Sequence, residues 1–433
     1  MAHEEASNSE KRPVPEESLD AIVAILDLVR RGRAHSRSEI IRKTGLSRSI
    51  VTQRVGKLLA LGFLSESLAP STGGRPPRQL EFRSDAGYLR VADIGASSID
   101  VAIADLAGTI LGHYGEPADV ADGPEAILGR VDELLGTVLD TARPPGRLYG
   151  VGIGVPGPVE FSTGHPISPP IMPGWDRFPV REYFMERHGA PVWVDNDVNV
   201  MALGEFRAGV ARGHLNSVFV KVGTGIGSGI ISDGLMHRGA QGSAGDVGHI
   251  QVLDDTKMIC RCGKVGCLEA LAGGGALERD GEALATSGRS PKLADIRAEK
   301  GDITAEDVSR AAGMGDPGAL ELLQASGRRV GQMLAALVNF FNPSLIVIGG
   351  SGANAGDAYL AASREALSAR SMPLATRDLL VQLSSLGDMA GVTGASAMVL
   401  DQLFSQEHLR HWIDAGRPDG LTFESTGERR LAY

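Results

Sequence analysis

Cysteine is scarce in this sequence, and so are aromatic residues and long apolar segments. Three cysteines in 433 residues exclude a secreted scaffold held together by disulfides. No apolar run is long enough to cross a bilayer, which argues against a membrane partner. The first residues are charged and have no apolar core, so we expect residues 1–17 to form a disordered tail and not a signal peptide. These absences predict a cytoplasmic protein.

The charge of the chain is unevenly distributed. The net charge is −10, yet residues 30–83 contain twelve Lys/Arg and three Asp/Glu, a net +9. A basic segment joined to an acidic body is typical of a nucleic-acid-binding head on a protein with a second function. The alternative, from charge alone, is a solvated basic face with no partner.

Residues 18–84 have the pattern of a winged helix-turn-helix domain. Apolar residues recur at three- and four-residue spacing in "LDAIVAILDLVRR", which predicts an amphipathic first helix. Ser36 with Glu39 predicts the N-cap of a short second helix, and Gly45 predicts its end. Ser47 predicts the start of a third helix. The strand-like segments "GFLSES" and "RQLEFR" flank a Gly/Pro-rich loop that would form the wing.

The third helix has a polar outer face, and it is the second helix of the helix-turn-helix pair. In such domains this helix enters the major groove of DNA. Arg75 at the tip of the wing would suit a narrow minor groove. The alternative is an ordinary three-helix bundle with a polar surface. The residues predicted to contact DNA are Arg48, Ser49, Gln53, Arg54, Lys57 and Arg75.

Residues 88–406 have the pattern of a two-lobed α/β body. Strand–glycine loop–strand segments occur at "YLRVADIGASSIDVAIADLAGTIL" and again at "NSVFVKVGTGIGSGIISDGLMHRG". Two halves that each open with a β-hairpin around a glycine-rich loop predict two similar lobes with a ligand cleft between them. Residues 407–433 have few apolar side chains, and we expect a C-terminal tail there.

The three cysteines are concentrated in one short segment, as Cys260, Cys262 and Cys267, and His249 precedes them. Three thiolates and an imidazole are the ligands of a tetrahedral Cys₃His zinc site. Four protein ligands leave no open coordination position, so this zinc would be structural and would fix the loop that carries Glu269. Free thiols are the alternative.

Other polar groups follow predicted strands, where α/β proteins bind ligands. In "DNDVN", Asn196 and Asp197 suit the vicinal hydroxyls of a sugar, and Asp197 also suits the base of a phosphoryl transfer. A helix cap rich in Asp and Asn is the alternative. The glycine loops "DIGASS" and "GTGIGSG" could bind phosphates through backbone N–H groups. The candidate residues in these loops are Asp93, Gly95, Gly223, Thr224 and Gly225.

Taken together, the glycine loops, "DNDVN" and "CRCGKVGCLE" preceded by "GH" resemble the ROK family of repressors, open reading frames and kinases. The N-terminal head resembles the sugar-responsive repressor branch of that family. The resemblance implies an actin-like (RNase H-like) fold, a Cys₃His zinc site that includes His249, and a catalytic base at Asp197 in kinase members. It also implies sugar contacts from Asn196, Asp197, Asp246, His249 and Glu269.

The sequence departs from the family pattern in two segments. Asp246 stands where the family usually has glutamate, and its side chain is shorter by one methylene. "DIGASS" stands in place of a phosphate loop of the type "DxGGTK", so Ala96 adds a Cβ and Ser98 lacks a cation. The ATP site is therefore altered, although "GTGIGSG" and Asp197 remain.

These patterns predict a sugar-responsive DNA-binding regulator, most simply a repressor. Its partners would be operator DNA, a sugar effector and further copies of the chain, as a homodimer or homotetramer, because winged-helix regulators commonly pair on two half-sites. Structural zinc is the expected cofactor, and ATP binding is left open. The alternatives are an ATP-dependent sugar kinase with a DNA-binding head, and a DNA-binding protein whose body serves only in oligomerisation.

Overall fold

The computed structural model describes residues 20–68, 78–254, 256–350 and 356–418. The N-terminal head is three helices followed by an antiparallel hairpin. Its elements are α1 (Asp20–Arg30), α2 (Arg37–Thr44), α3 (Arg48–Ala60), β1 (Leu64–Leu68) and β2 (Arg78–Phe82). The winged helix-turn-helix prediction is confirmed. The predicted tail at 1–17 and the wing tip with Arg75 lie outside the described residues.

Capping residues set the ends of the head helices where the sequence predicted. Ser36 Oγ accepts from the backbone N–H of Glu39 (3.3 Å), and Gly45 ends α2 in the left-handed conformation, with φ 73°. The Glu39 carboxylate accepts from the backbone N–H of His35 (2.6 Å). In a standard capping box the donor would be the N–H of the N-cap residue Ser36, one residue later. Ser47 is the N-cap of α3. Such caps act within one helical turn, so the local sequence encodes them.

The first lobe is built on a five-stranded sheet. Its strands are β3 (Gly87–Ile94), β4 (Ser98–Asp105), β5 (Ile110–Pro117), β6 (Arg147–Val155) and β9 (Val192–Asn196), and β7 (Val159–Glu160) and β8 (His165–Pro166) form a small separate pair. The spatial order is β5-β4-β3-β6-β9: the first three strands form an antiparallel meander, and β6 and β9 extend it in parallel. Helices α4 (Pro124–Ala142) and α5 (Val180–His188) pack against this sheet.

The second lobe repeats the topology of the first. Its strands are β10 (Ser217–Val222), β11 (Ile226–Ser232), β12 (Leu235–His237), β13 (Leu345–Gly349) and β14 (Leu380–Leu383). Their order is β12-β11-β10-β13-β14, again an antiparallel meander extended by two parallel strands. This duplication confirms the predicted two-lobed, actin-like α/β fold.

Seven of the described helices belong to the second lobe. They are α7 (Leu268–Ala272), α8 (Gly274–Thr286), α9 (Pro291–Lys300), α10 (Ala305–Gly313), α11 (Pro317–Phe341), α12 (Gly356–Arg370) and α13 (Pro373–Thr376). They share one hydrophobic core with β10 and β13. Among the helices that the structure describes, even the 25-residue α11 lacks the length of apolar sequence that crossing a membrane requires.

Two helices connect the lobes, α6 (Asp197–Ala208) and α14 (Met389–Leu403). α6 leaves β9 of the first lobe and packs on β10 and β11 of the second, whereas α14 follows β14 and packs on β3 and β6. Glycine allows the two helices to touch. A Cβ on Gly204 would lie 2.1 Å from the Ala390 carbonyl oxygen, and one on Gly394 would lie 1.6 Å from that of Val200. Because the contact is so close, a shift of one helix must displace the other.

The C-terminal segment differs from the tail expected at 407–433. Its first part forms α15 (Gln406–Ala415), in which Leu409 and Trp412 are buried. The Trp412 ring lies 5.3 Å from that of Phe63 in the head and 6.1 Å from that of Tyr149 in the first lobe. One hydrophobic cluster therefore includes the head, the first lobe and α15. Two buried side chains on a short helix are a weak signal, which is why the sequence did not reveal it.

Candidate functional site

A cleft of about 750 Å³ lies between the lobes. Every residue of the body that the sequence suggested for sugar or phosphate binding lines this cleft. They are Asp93, Gly95, Asn196, Asp197, Gly223, Thr224, Gly225, Asp246, His249 and Glu269. The fold thus brings together segments that are far apart in the sequence, in a concave and polar place that suits a small ligand.

Asn196 caps α6 at the wall of this cleft. Its Oδ1 accepts from the backbone N–H groups of Val198 (3.0 Å) and Asn199 (3.2 Å). Its Nδ2 donates to the Gly157 carbonyl oxygen (2.9 Å) and to Asp197 Oδ1 (3.0 Å). The helix-cap interpretation of "DNDVN" therefore applies to Asn196. Its side chain fixes the start of α6 and the position of the neighbouring Asp197 carboxylate.

Asp195, which the sequence analysis did not single out, supports this corner from behind the cleft. It is buried, and its two carboxylate oxygens accept from Asn199 Nδ2 (2.9 Å) and from Arg238 Nε (2.8 Å). The Arg238 guanidinium also lies over the ring of Phe161, 3.9 Å from its centroid. A buried carboxylate paired in this way is costly to disturb, so the corner is held rigidly.

Lys221 is a second residue that the sequence analysis missed. Its Nζ donates to Asp197 Oδ2 (2.7 Å) from the opposite lobe. Desolvation opposes the charge of Lys221, but the carboxylates of Asp197 and Asp93 raise its pKa above the ordinary value. Asp93 is itself buried, and desolvation raises its pKa to about 7. A lysine within the apolar strand "VFVKV" was the available signal.

Glu269 joins the second glycine loop to the cysteine-rich loop. Its Oε2 accepts from the backbone N–H of Ile226 (3.3 Å). A Cβ on Gly225 would lie 2.6 Å from Glu269 Oε2, so a side chain there would displace the end of this carboxylate. Arg261 lies between two of the cysteines, donates to the Thr224 carbonyl oxygen (3.1 Å) and places its Nη2 3.7 Å from Glu269 Oε1. Arg261 therefore links the cysteine loop to Glu269.

The candidate metal centre consists of His249, Cys260, Cys262 and Cys267, whose ligand atoms all lie within 4.8 Å of one another. His249 Nδ1 is 3.6 Å from Cys260 Sγ, and the Sγ atoms of Cys262 and Cys267 are 3.7 Å apart. Three thiols and an imidazole form a donor set that could bind a metal. The other ring nitrogen, Nε2, lies 4.0 Å from Asp246 Oδ1, on the cleft side. His249 can therefore bind a metal with one nitrogen and face the cleft with the other.

Both glycine loops use backbone donors within their own turns. The N–H of Gly95 donates to the Ser98 carbonyl oxygen (2.8 Å), which closes the β3–β4 hairpin. The N–H of Gly223 donates to the Gly225 carbonyl oxygen (2.9 Å). Phosphate loops bind their ligand through free backbone N–H groups. Gly95 and Gly223 therefore do not offer their own N–H groups to a phosphate.

Five of the residues predicted to contact DNA lie on α3, and the sixth, Arg75, lies outside the described residues. Arg48, Ser49 and Gln53 are exposed, and Arg54 and Lys57 are half-buried. The opposite face of α3 is apolar and turned inward, with Val51, Val55 and Leu58 buried. The helix therefore presents donors and cations outward, as a major-groove helix does.

Two sheets of the same topology, a polar cleft between them and a winged helix-turn-helix packed on one lobe define the class of this protein. It is an actin-like protein with a DNA-binding type of head. The chain belongs to the ROK family, whose sequence profile matches residues 91–402.

Relatives within the family differ in how much of the chain they match. A xylose repressor of Caldicellulosiruptor bescii is 31% identical over 375 residues, which is 86% of this chain and 92% of that protein. A glucokinase of Halalkalibacterium halodurans is 34% identical over 325 residues, which is 75% of this chain and 98% of that protein. Because only 343 residues follow Arg90, the alignment with the repressor must include part of the head.

Solved structures show the same division. The crystal structure of a ROK family transcriptional regulator, a homologue of the E. coli MLC protein, superimposes with a TM-score of 0.78 at 25% identity, over 92% of this chain and 99% of that chain. A ROK glucokinase from Streptomyces griseus in complex with glucose and AMPPNP gives a TM-score of 0.65 at 29% identity. This superposition covers 72% of this chain and 99% of that chain. The similarity to the regulator therefore includes the head.

Proposed function

We propose that this protein is a sugar-responsive transcriptional repressor, whose body binds a sugar and thereby changes the affinity of the head for operator DNA. The observation that carries the proposal is the extent of similarity. A repressor and a transcriptional regulator match head and body together, whereas the glucokinases match about three quarters of the chain. A kinase needs no helix-turn-helix domain. A body that served only in oligomerisation would need no cleft rich in hydrogen-bond acceptors.

The cleft supplies the chemistry that neutral sugars require. A sugar hydroxyl both donates and accepts hydrogen bonds, so its site needs acceptors and donors. Asp197, Glu269 and Asp246 offer carboxylate acceptors, and His249 Nε2 offers a donor or an acceptor according to its tautomer. The similarity to a xylose repressor and to glucokinases makes D-xylose and D-glucose the first ligands to test.

α6 provides a route from the cleft to the head. Asn196 and Asp197 lie at its N-terminal end, at the cleft. Near its other end, Leu203 and Arg207 line a cavity of about 490 Å³ together with Leu26 of α1. A sugar that shifts the start of α6 therefore shifts the surface on which α1 rests. A sugar that binds these two positions of α6 unequally would couple the cleft to the head.

α14 and α15 give a second connection between body and head. α14 touches α6 through paired glycines and carries Asp401, which binds Arg207 of α6 (2.5 Å). The guanidinium of Arg30 on α1 lies over the ring of Phe404, just after α14, and Gln406 of α15 hydrogen-bonds to Asp20 of α1. The head is thus packed on the helices that respond to the cleft, and a change in the cleft has a direct mechanical path to it.

We further propose that Zn²⁺ binds His249, Cys260, Cys262 and Cys267, a soft donor set that suits this ion. When bound, it would fix the cysteine loop and, through Arg261 and Glu269, one wall of the cleft. The protein would bind DNA as a homodimer or homotetramer, since two heads are needed to contact two half-sites.

Asp197→Ala tests the coupling directly. The operator is first selected from random duplex DNA with the wild-type protein, and its binding is followed by fluorescence anisotropy with and without D-xylose or D-glucose. We expect the effective sugar to weaken operator binding by the wild type roughly 5- to 150-fold. The variant should bind DNA as the wild type does and fail to respond, because the change removes a charged acceptor from the cleft and nothing from the head.

The matched control is Asp378→Ala, an exposed aspartate outside the cleft that should leave the sugar response intact. A wild type that responds to no sugar would contradict the proposed function. A normal response in Asp197→Ala would remove Asp197 from the sensing site.

An ATP-dependent sugar kinase is the second candidate, favoured by Asp197 in the cleft and by the glucokinase relatives. Ala96 and Ser98, which stand where loops of the type "DxGGTK" have a glycine and a lysine, count against it. A coupled assay of ADP release with D-glucose, D-xylose and Mg-ATP distinguishes the two functions. Turnover that disappears in Asp197→Ala would favour the kinase.

A further inference from the structure

Lys221 reaches across the cleft along a path that glycines leave open. Its partners in the sheet are Gly227 on β11 and Gly349 on β13, so neither directly opposite residue has a side chain beside it. A Cβ on Gly350 would lie 3.2 Å from Lys221 Cγ, and one on Gly223 would lie 3.8 Å from its Cε. A long side chain on a buried strand can cross to the other lobe only where its surroundings are this small.

The end of this side chain lies among carboxylates of the first lobe and of the start of α6. Nζ donates to Asp197 Oδ2 at 2.7 Å, and the charges of Asp93 and Asp100 act on the same ammonium group. Asp93 Oδ1 has no hydrogen-bond partner within the described part of the chain, so the ammonium is the compensating charge for this acidic corner. The pair Lys221–Asp197 is therefore a bridge between the two lobes inside the ligand cleft.

This bridge determines how Asp197 can act. Oδ2 accepts from Lys221, and Oδ1 accepts from Asn196 Nδ2 at 3.0 Å. A general base must present a free lone pair to the hydroxyl proton that it removes. A carboxylate has about four acceptor positions, so one further hydroxyl can still donate to Asp197 while both present donors stay in place. The arrangement holds Asp197 as an acceptor of fixed position.

We infer that Lys221 is a positioning residue: it holds Asp197 across the cleft as a hydrogen-bond acceptor for the sugar, and so adapts a kinase-type cleft to sensing. The inference rests on the proposed function, since it assigns Lys221 a part in the sugar response of a repressor. It predicts that Lys221 contributes to sugar affinity only through Asp197. A residue that merely supports the fold would contribute independently of Asp197.

The test is a double-mutant cycle of Lys221→Met and Asp197→Asn, with D-xylose and D-glucose affinities measured by calorimetry on the full chain. Lys221→Met removes the charge and shortens the side chain by only one atom. We expect it to weaken sugar binding about tenfold or more, since a charge-assisted hydrogen bond is lost. The double variant should bind no more weakly than Asp197→Asn alone, because both changes remove the same interaction.

Three further variants keep the test decisive. Lys221→Arg retains the charge and should stay within about threefold of the wild type. Lys221→Gln, which also removes the charge, replaces Lys221→Met in the cycle if that variant does not fold. Lys292→Met, at an exposed lysine, is the matched control and should change nothing. Additive losses in the cycle, or unchanged affinity in Lys221→Met, would overturn the inference.

Operator release by sugar, measured on the same preparations, distinguishes a failure of the Lys221 role from a failure of the proposed repressor function. If the wild type releases operator and Lys221→Met responds with unchanged sugar affinity, the role of Lys221 is wrong and the repressor function stands. If the wild type binds neither sugar and releases no operator, the proposed function fails and the inference fails with it.

Discussion

Asp93→Asn should make the stability of this protein less dependent on pH. Asp93 is 8% exposed and sits between two glycines: a Cβ on Gly391 would lie 1.8 Å from its Oδ2, and one on Gly154 would lie 2.6 Å from its Oδ1. Desolvation raises its pKa from the ordinary 3.8 to about 7; Lys221 lowers it, and the charges of Asp197 and Asp100 raise it further. The asparagine has the same shape and does not titrate.

The sign of the effect follows from the raised pKa. The folded protein holds the proton of Asp93 more tightly than the unfolded chain does, so the contribution of this group to stability is complete below pH 3.8 and is lost as the pH rises through 7. The full loss is about 4 kcal/mol. Between pH 6 and pH 8 the free energy of unfolding should fall by about 1 kcal/mol through Asp93 alone. Asp93→Asn lacks this loss, so its stability relative to the wild type should rise by that amount.

Urea denaturation at pH 6 and pH 8 measures the difference. The comparison is between the two proteins at each pH, because other groups titrate equally in both. Asp378→Asn, at an aspartate side chain that is 80% exposed, is the matched control and should follow the wild type at both pH values. If the difference between Asp93→Asn and the wild type is the same at pH 6 and pH 8, the carboxyl is not held protonated by burial and the reasoning is wrong.

Three further predictions concern other parts of the molecule. Purified protein should contain about one zinc per chain by metal analysis, and Cys262→Ser should lose the zinc and bind sugar more weakly; normal sugar affinity without zinc would show that the loop needs no ion. Trp412→Ala should lower the free energy of unfolding by about 3–5 kcal/mol, because a fully buried indole is removed from the junction of head and body, whereas Phe340→Ala, at a 90% exposed ring, should have little effect in the same denaturation assay. Gln53→Ala should relax base preference at one position of the operator, at a cost of about 1–3 kcal/mol in binding free energy. Arg75→Ala should weaken binding mainly at A·T-rich flanks. If both variants lose affinity equally on every sequence in a gel-shift series, the groove assignment is wrong.

The sequence by itself determined the features that depend on neighbouring residues. Helix caps at Ser36, Gly45 and Ser47 act within one turn, so they marked the head helices directly. The repeated strand–glycine loop–strand pattern revealed two lobes, because each hairpin is a local structure. The spacing of three cysteines after a histidine indicated a metal site, since ligands from one short loop can surround one ion.

Only the tertiary structure decided which distant residues meet. Lys221 and Asp197 lie on different lobes, and their pairing depends on how the two sheets face each other across the cleft. α15 gains its place from the aromatic cluster of Phe63, Tyr149 and Trp412, which unites three segments of the chain. Such contacts carry no local signal, because their free energy comes from burying and pairing groups that the unfolded chain keeps apart. The sequence therefore predicted the parts of a sugar-responsive repressor, and the packing of the lobes decided how its cleft is connected to its head.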